Sequence, residues 1–138
     1  LMNAIDSFQW GINSIMDKKE IVILLMRCPY GSASVSESIR VTFAISSFNF
    51  SINVILIEDV VFSLIKDQNT GLFNLKKLSD CFCEFKDYDI NINVLRDSLL
   101  DRNIVINEIE GCSQGVNFID AIQLKSLINN ANVVIKFN

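Results

Sequence analysis

The chemistry this chain can offer is thiol chemistry. It contains four cysteines, Cys28, Cys81, Cys83 and Cys112, and no histidine. A cysteine attacks as its thiolate, so a reactive one needs a setting that lowers its pKa and leaves it reachable. Cys28 has the best setting of the four. It follows Arg27 at the end of the apolar run Ile21 to Met26 and precedes Pro29-Tyr30-Gly31-Ser32-Ala33, after which a helical pattern begins. A guanidinium and a helix amino terminus both favour a thiolate. The competing expectation is that Cys28 packs in the turn as a small apolar group. Cys112 lies in a loop between Gly111 and Gly115 and is a weaker candidate. Cys81 and Cys83 are spaced too tightly for a C-x-x-C zinc or redox pair. On a helix they stand about 200° apart and cannot converge on one ligand.

The absence of histidine excludes Ser-His and Cys-His nucleophile activation, His-ligated metals and His general bases within this sequence. Neither a P-loop nor a G-x-G-x-x-G fingerprint is present. A formal net charge of -4, with lysines and arginines scattered, argues against direct nucleic-acid binding, which needs a basic face. No apolar stretch approaches the roughly 20 residues that span a bilayer, so no membrane contact is expected. Glu58-Asp59 could hold a cation, but nothing nearby completes a site; two acids at a helix start are explained by the macrodipole. No cofactor and no metal are expected. With no secretory leader evident, the expectation is reduced thiols in the cytoplasm.

Positioning Cys28 requires a strand that ends there and a helix that returns the chain. Ile21–Met26 is a short continuous apolar run stopped by Pro and Gly, as strands buried on both faces of a parallel sheet are. Ser32 or Ser34 can cap the following helix, 34–48. Strand and helix then alternate: strands at 51–57, 89–94, 116–119 and 132–137, helices at 60–65, 75–85, 95–102 and 122–130. Asn103 is suited to a left-handed cap. Five strands alternating with helices predict an α/β fold, a three-layer α/β/α sandwich with a mostly parallel five-stranded sheet. In such sheets ligands gather at the carboxyl ends of the strands. Residues 16–138 form the expected domain. Residues 1–15 are an N-terminal extension, either from an upstream start or a short amphipathic helix carrying Ile5, Phe8, Ile12, Ile15 and Met16.

Several landmarks occur in one order. Pro29-Tyr30-Gly31-Ser32-Ala33 follows the first strand, with Ser36-Glu37 early in the next helix. Ile57-Glu58-Asp59-Val60-Val61-Phe62-Ser63-Leu64 ends the second strand, with Gln68 beyond. Then come Phe85, Tyr88-Asp89-Ile90 and Ser98-Leu99-Leu100-Asp101-Arg102-Asn103-Ile104. Leu124 to Asn130 and Asn132 to Phe137 close the series. In this order the chain resembles the DsrE/DsrF-like sulfur-relay family, within it the TusC/DsrF branch, over nearly everything from Met16 onward. The branch has histidine where Tyr30 stands, and glycine where Val60 and Asn103 stand.

The resemblance implies the three-layer fold and a role in relaying sulfur as cysteine persulfide, toward tRNA 2-thiouridine or within sulfur oxidation. It implies DsrE/TusD-like and DsrH/TusB-like subunits as partners in a hetero-oligomer. The resemblance places the persulfide-carrying cysteine in the DsrE/TusD-type subunit, after the third strand, where this chain reads Ile92-Asn93-Val94-Leu95-Arg96-Asp97-Ser98 without a cysteine. Leu95 is the nearest counterpart of a cysteine often seen in the branch. The resemblance therefore implies a non-catalytic subunit of a sulfurtransferase complex. Two alternatives stay open: a persulfide transferase using Cys28, and a stand-alone homo-oligomer binding a small molecule or regulator at the strand ends.

Overall fold

The computed structural model describes residues 18–26, 33–65, 78–109 and 115–137. Its strands are β1 (Lys19–Leu25), β2 (Phe50–Leu56), β3 (Ile90–Leu95), β4 (Val116–Ile119) and β5 (Val133–Phe137). Its α-helices are α1 (Ser34–Ser46), α2 (Leu78–Glu84), α3 (Arg96–Asp101) and α4 (Ala121–Asn130). A 3-10 helix spans Glu58–Leu64 after β2, and another, Phe85–Tyr88, continues from α2.

The five strands form one sheet in the order β4-β3-β2-β1-β5, and every neighbouring pair is parallel. This order explains where the helices lie. A crossover between parallel strands is right-handed, so connections that step the same way across a sheet fall on the same face. The path β1 to β2 to β3 to β4 steps one way three times. Accordingly Val35 and Ile39 of α1, Phe82 of α2 and Leu99 of α3 join a single core with Ile21, Ile23, Ile52, Val54, Ile92 and Val94. The return from β4 to β5 runs the other way and puts α4 on the opposite face. There Leu124, Leu127 and Ile128 pack on a small core of Val22, Ile55, Ile57 and Ile119.

The two faces differ in chemistry as well as cover. Strand side chains alternate, and on the first face β2 and β3 place Ile52, Val54, Leu56, Ile90, Ile92 and Val94, all buried. On the second face they place Asn53, Asn91 and Asn93, and β4 adds Asn117 opposite Asn93. Each fully buried aliphatic side chain contributes about 1.5–3 kcal/mol, so the first face supplies most of the driving force for folding.

Most expected elements are present with shifted ends. The third strand begins at Ile90, because Asp89 is left-handed at φ 58 and closes the preceding 3-10 helix. The expected helix over 60–65 is a 3-10 helix that already starts at Glu58. Ser34 is the first helical residue of α1, and the N-cap is Ala33, which makes no side-chain capping bond. Asn103 is left-handed at φ 55, as expected of the residue closing α3. Helix α4 carries a capping box, in which Asp120 accepts from the Gln123 N–H at 2.7 Å and Gln123 accepts from the Asp120 N–H at 2.9 Å. Among the described residues, no helix is long and apolar enough to cross a membrane.

Candidate functional site

The carboxyl ends of β2 and β3 are tied together by a polar network. After β2, Ile57 donates its N–H to the Leu25 carbonyl at 3.0 Å, keeping the chain beside β1 for one more residue. Glu58 then turns into the left-handed region at φ 56, which an ordinary side chain adopts only when its surroundings hold it there. What holds it is Ser98. The Glu58 N–H donates to Ser98 Oγ at 2.9 Å, and Ser98 is buried in the first turn of α3. Next door, Asp59 meets Arg102, whose Nε donates to Asp59 Oδ1 at 3.0 Å. The same guanidinium reaches back through Nη1 to the Ser98 carbonyl at 3.3 Å. Asp59 is therefore committed to an ion pair. Among the described residues no group of His, Cys, Asp and Glu is placed to hold a metal.

Leu95 stands at the head of α3. It ends β3 in extended conformation, serves as the N-cap of α3, and packs its half-buried side chain against the Val22–Ile55–Ile57–Ile119 core. The residue that closes the third strand is thus an aliphatic side chain used for packing. Leu100 near the end of α3 and Val105 and Ile106 beyond it are exposed, and with Arg96, Leu99 and Ile104 they line a mostly apolar groove of about 310 Å³.

The cysteines separate into two pairs. Cys28 and Cys112 lie outside the described residues. Cys81 is buried, Cys83 is half-buried, and both pack with the first-face core, the filling role expected of a small apolar side chain. The Ser98–Glu58 and Arg102–Asp59 links were not foreseen, although Ser98, Asp59 and Arg102 all fall within the motifs that carry the family resemblance. The asparagines of the second face were also missed. Their alternation in Ile90-Asn91-Ile92-Asn93-Val94 is a period-two signal for a strand with one polar face.

An α/β sandwich with an all-parallel sheet and its polar network at the strand ends defines the class of protein. The chain belongs to the DsrE/DsrF-like family, whose model matches residues 19–137. It is 25% identical over 131 residues to the intracellular sulfur oxidation protein DsrF of Allochromatium vinosum, covering 86% of this chain and 96% of the relative. Among solved structures it is similar to the ychN protein of E. coli, with a TM-score of 0.74 at 21% identity, covering 86% of this chain and 99% of that one. That structural likeness shows the fold.

Proposed function

We propose that this chain is a DsrF-like, non-catalytic subunit of an intracellular sulfur-relay complex, in which a DsrE-like partner carries the persulfide. The observation that carries this reading is Leu95. The resemblance puts a sulfur-carrying thiol after the third strand, and this chain has there a packed aliphatic side chain that can neither ionise nor hold sulfur. The end-to-end similarity to DsrF supports the relay and favours sulfur oxidation over tRNA thiolation. The exposed apolar residues Leu100, Val105 and Ile106 support assembly, since contiguous apolar surface of this kind marks interaction sites.

Native mass spectrometry tests the proposal. The chain is measured alone and after co-expression with the DsrE-like and DsrH-like chains of the same genome. A defined hetero-complex is expected, with sulfane sulfur on the DsrE-like chain. A homo-oligomer indifferent to those chains would overturn the subunit role. Sulfane sulfur on this chain that is lost in Cys28→Ser would overturn the non-catalytic one.

A further inference from the structure

The second face of the sheet holds a groove that the strand-end network leaves untouched. It measures about 460 Å³, within the range of small-molecule sites. It lies between β3, β4 and α4, and its lining includes Asn93, Asn117, Ile119, Gln123, Ser126 and Leu127.

Asn93 is the informative residue, because only 4% of it is exposed. Its Nδ2 donates to Asn53 Oδ1 at 3.3 Å and to the Val54 carbonyl at 3.4 Å. A backbone carbonyl only accepts, so the nitrogen end of this amide must face β2. The planar amide then turns Oδ1 toward β4, the side on which the groove lies. That oxygen has no donor among the described residues. Buried acceptors are ordinarily satisfied, and one left open in the floor of a groove is a demand for a donor from outside.

The other lining groups define what brings that donor. Asn117 is the register partner of Asn93 on the next strand, and its amide is exposed. Gln123 Oε1 is taken by the Asp120 N–H, which leaves its Nε2 as a donor. Ile119 and Leu127 form apolar wall, and among the described residues no charged side chain lines the groove. An ionised ligand would find no counter-charge here. Two amides side by side on one sheet face match an N–H and a C=O that are also side by side. A ring holds a secondary amide in that cis arrangement, whereas a trans peptide points the two groups in opposite directions.

We propose that this groove binds an uncharged small molecule bearing a cyclic secondary amide, of the lactam or ureide class. Its N–H donates to Asn93 Oδ1 and its carbonyl accepts from Asn117 Nδ2. The proposal is independent of the relay role.

The test is a titration of the isotope-labelled full chain with 2-piperidone, followed through the side-chain amide signals of Asn93, Asn117 and Gln123 by NMR. Saturable shifts confined to these amides are expected. N-methyl-2-piperidone, with the donor replaced by methyl, is expected to bind at least about tenfold more weakly, and the trans amide N-methylacetamide about three- to tenfold more weakly. Asn117→Ala, a change at an exposed position that leaves the core intact, is expected to weaken 2-piperidone by about three- to tenfold. The proposal is overturned by the absence of saturable shifts up to the solubility of the lactam, or by shifts that map elsewhere. Equal response to the N-methyl compound, or undiminished binding by Asn117→Ala, overturns it as well.

Discussion

On one face of the sheet β2 and β3 present six buried aliphatic side chains under α1, α2 and α3; on the other face the same strands present Asn53, Asn91 and Asn93 beside Ile55 and Leu95, under α4 alone among the described residues. The strands are the same, so the difference originates in the connections. Among the described residues, the three crossovers stepping one way supply the first layer and the return to β5 supplies the second. The polar residues of β2 to β4 fall on the face against which α4, ten residues long, packs. Burial of a parallel strand on both faces is thus a property of its place in the chain path, and sequence composition follows that place.

The comparison breaks most visibly in the core. Phe82→Ala, at a fully buried first-face position, is expected to cost about 3–5 kcal/mol in chemical denaturation. Leu127→Ala, half-buried on the second face, is expected to cost only about 1–2 kcal/mol. Equal losses would mean that the thin layer carries as much of the stability as the thick one. Removing the cap of α4 is the next lever. Asp120→Ala deletes the oxygen that receives the Gln123 N–H, for an expected loss of about 1 kcal/mol. Faster amide exchange should accompany that loss in α4 and not in α1. Asn91→Val sharpens the contrast from the opposite side. Asn91 is exposed in the middle of the sheet, so stability should stay within about 0.5 kcal/mol of the parent. A loss above about 1 kcal/mol would show that the amide is bonded in solution.

The smallest effect lies outside both faces, on the outer side of α1. The Arg40 guanidinium hydrogen-bonds Glu37 and holds its carboxyl below the usual carboxylate range, while Glu37 raises Arg40 in turn. A carboxyl lowered in the folded state adds stability that is present above its ordinary value and is lost as pH falls through the lowered one. Both groups are fully exposed, so the measurable quantity is the titration itself. In Arg40→Ala the Glu37 midpoint, followed by NMR, should move up to the ordinary carboxylate range. An unchanged midpoint would show that the pair does not persist in solution.

How much of this was legible beforehand depends on distance along the chain. The apolar runs Ile21–Met26 and Ile52–Ile57 announced strands, and their alternation with helices announced the sandwich, because both signals are local. The helix caps are local too, yet Ala33 stands where a serine was expected, since the turn geometry and not the nearest hydroxyl decides the cap. The strand-end site could not be read in the same way. Ser98 and Glu58 are 40 residues apart, and Arg102 and Asp59 are 43 apart, so only the fold brings them together. The asparagine face is spelled out in period two, Ile90-Asn91-Ile92-Asn93-Val94, but which layer covers it depends on the path of the chain and not on the strand itself. Cys28, the sharpest chemical candidate in the sequence, falls outside the described residues.

The place of β5 beside β1 has a consequence for how the protein is made. The Glu20 N–H donates to Asn132 Oδ1 and the Asn132 N–H to the Glu20 carbonyl, a clasp between residues 112 apart. β5 is made only after β2, β3 and β4, so the edge of β1 that it covers, Ile21 to Leu25, stays unpaired by β5 until the residues 112 positions further on have been made. Until then the nascent chain carries an open, apolar strand edge, the kind of surface that recruits chaperones or mispairs with a neighbour.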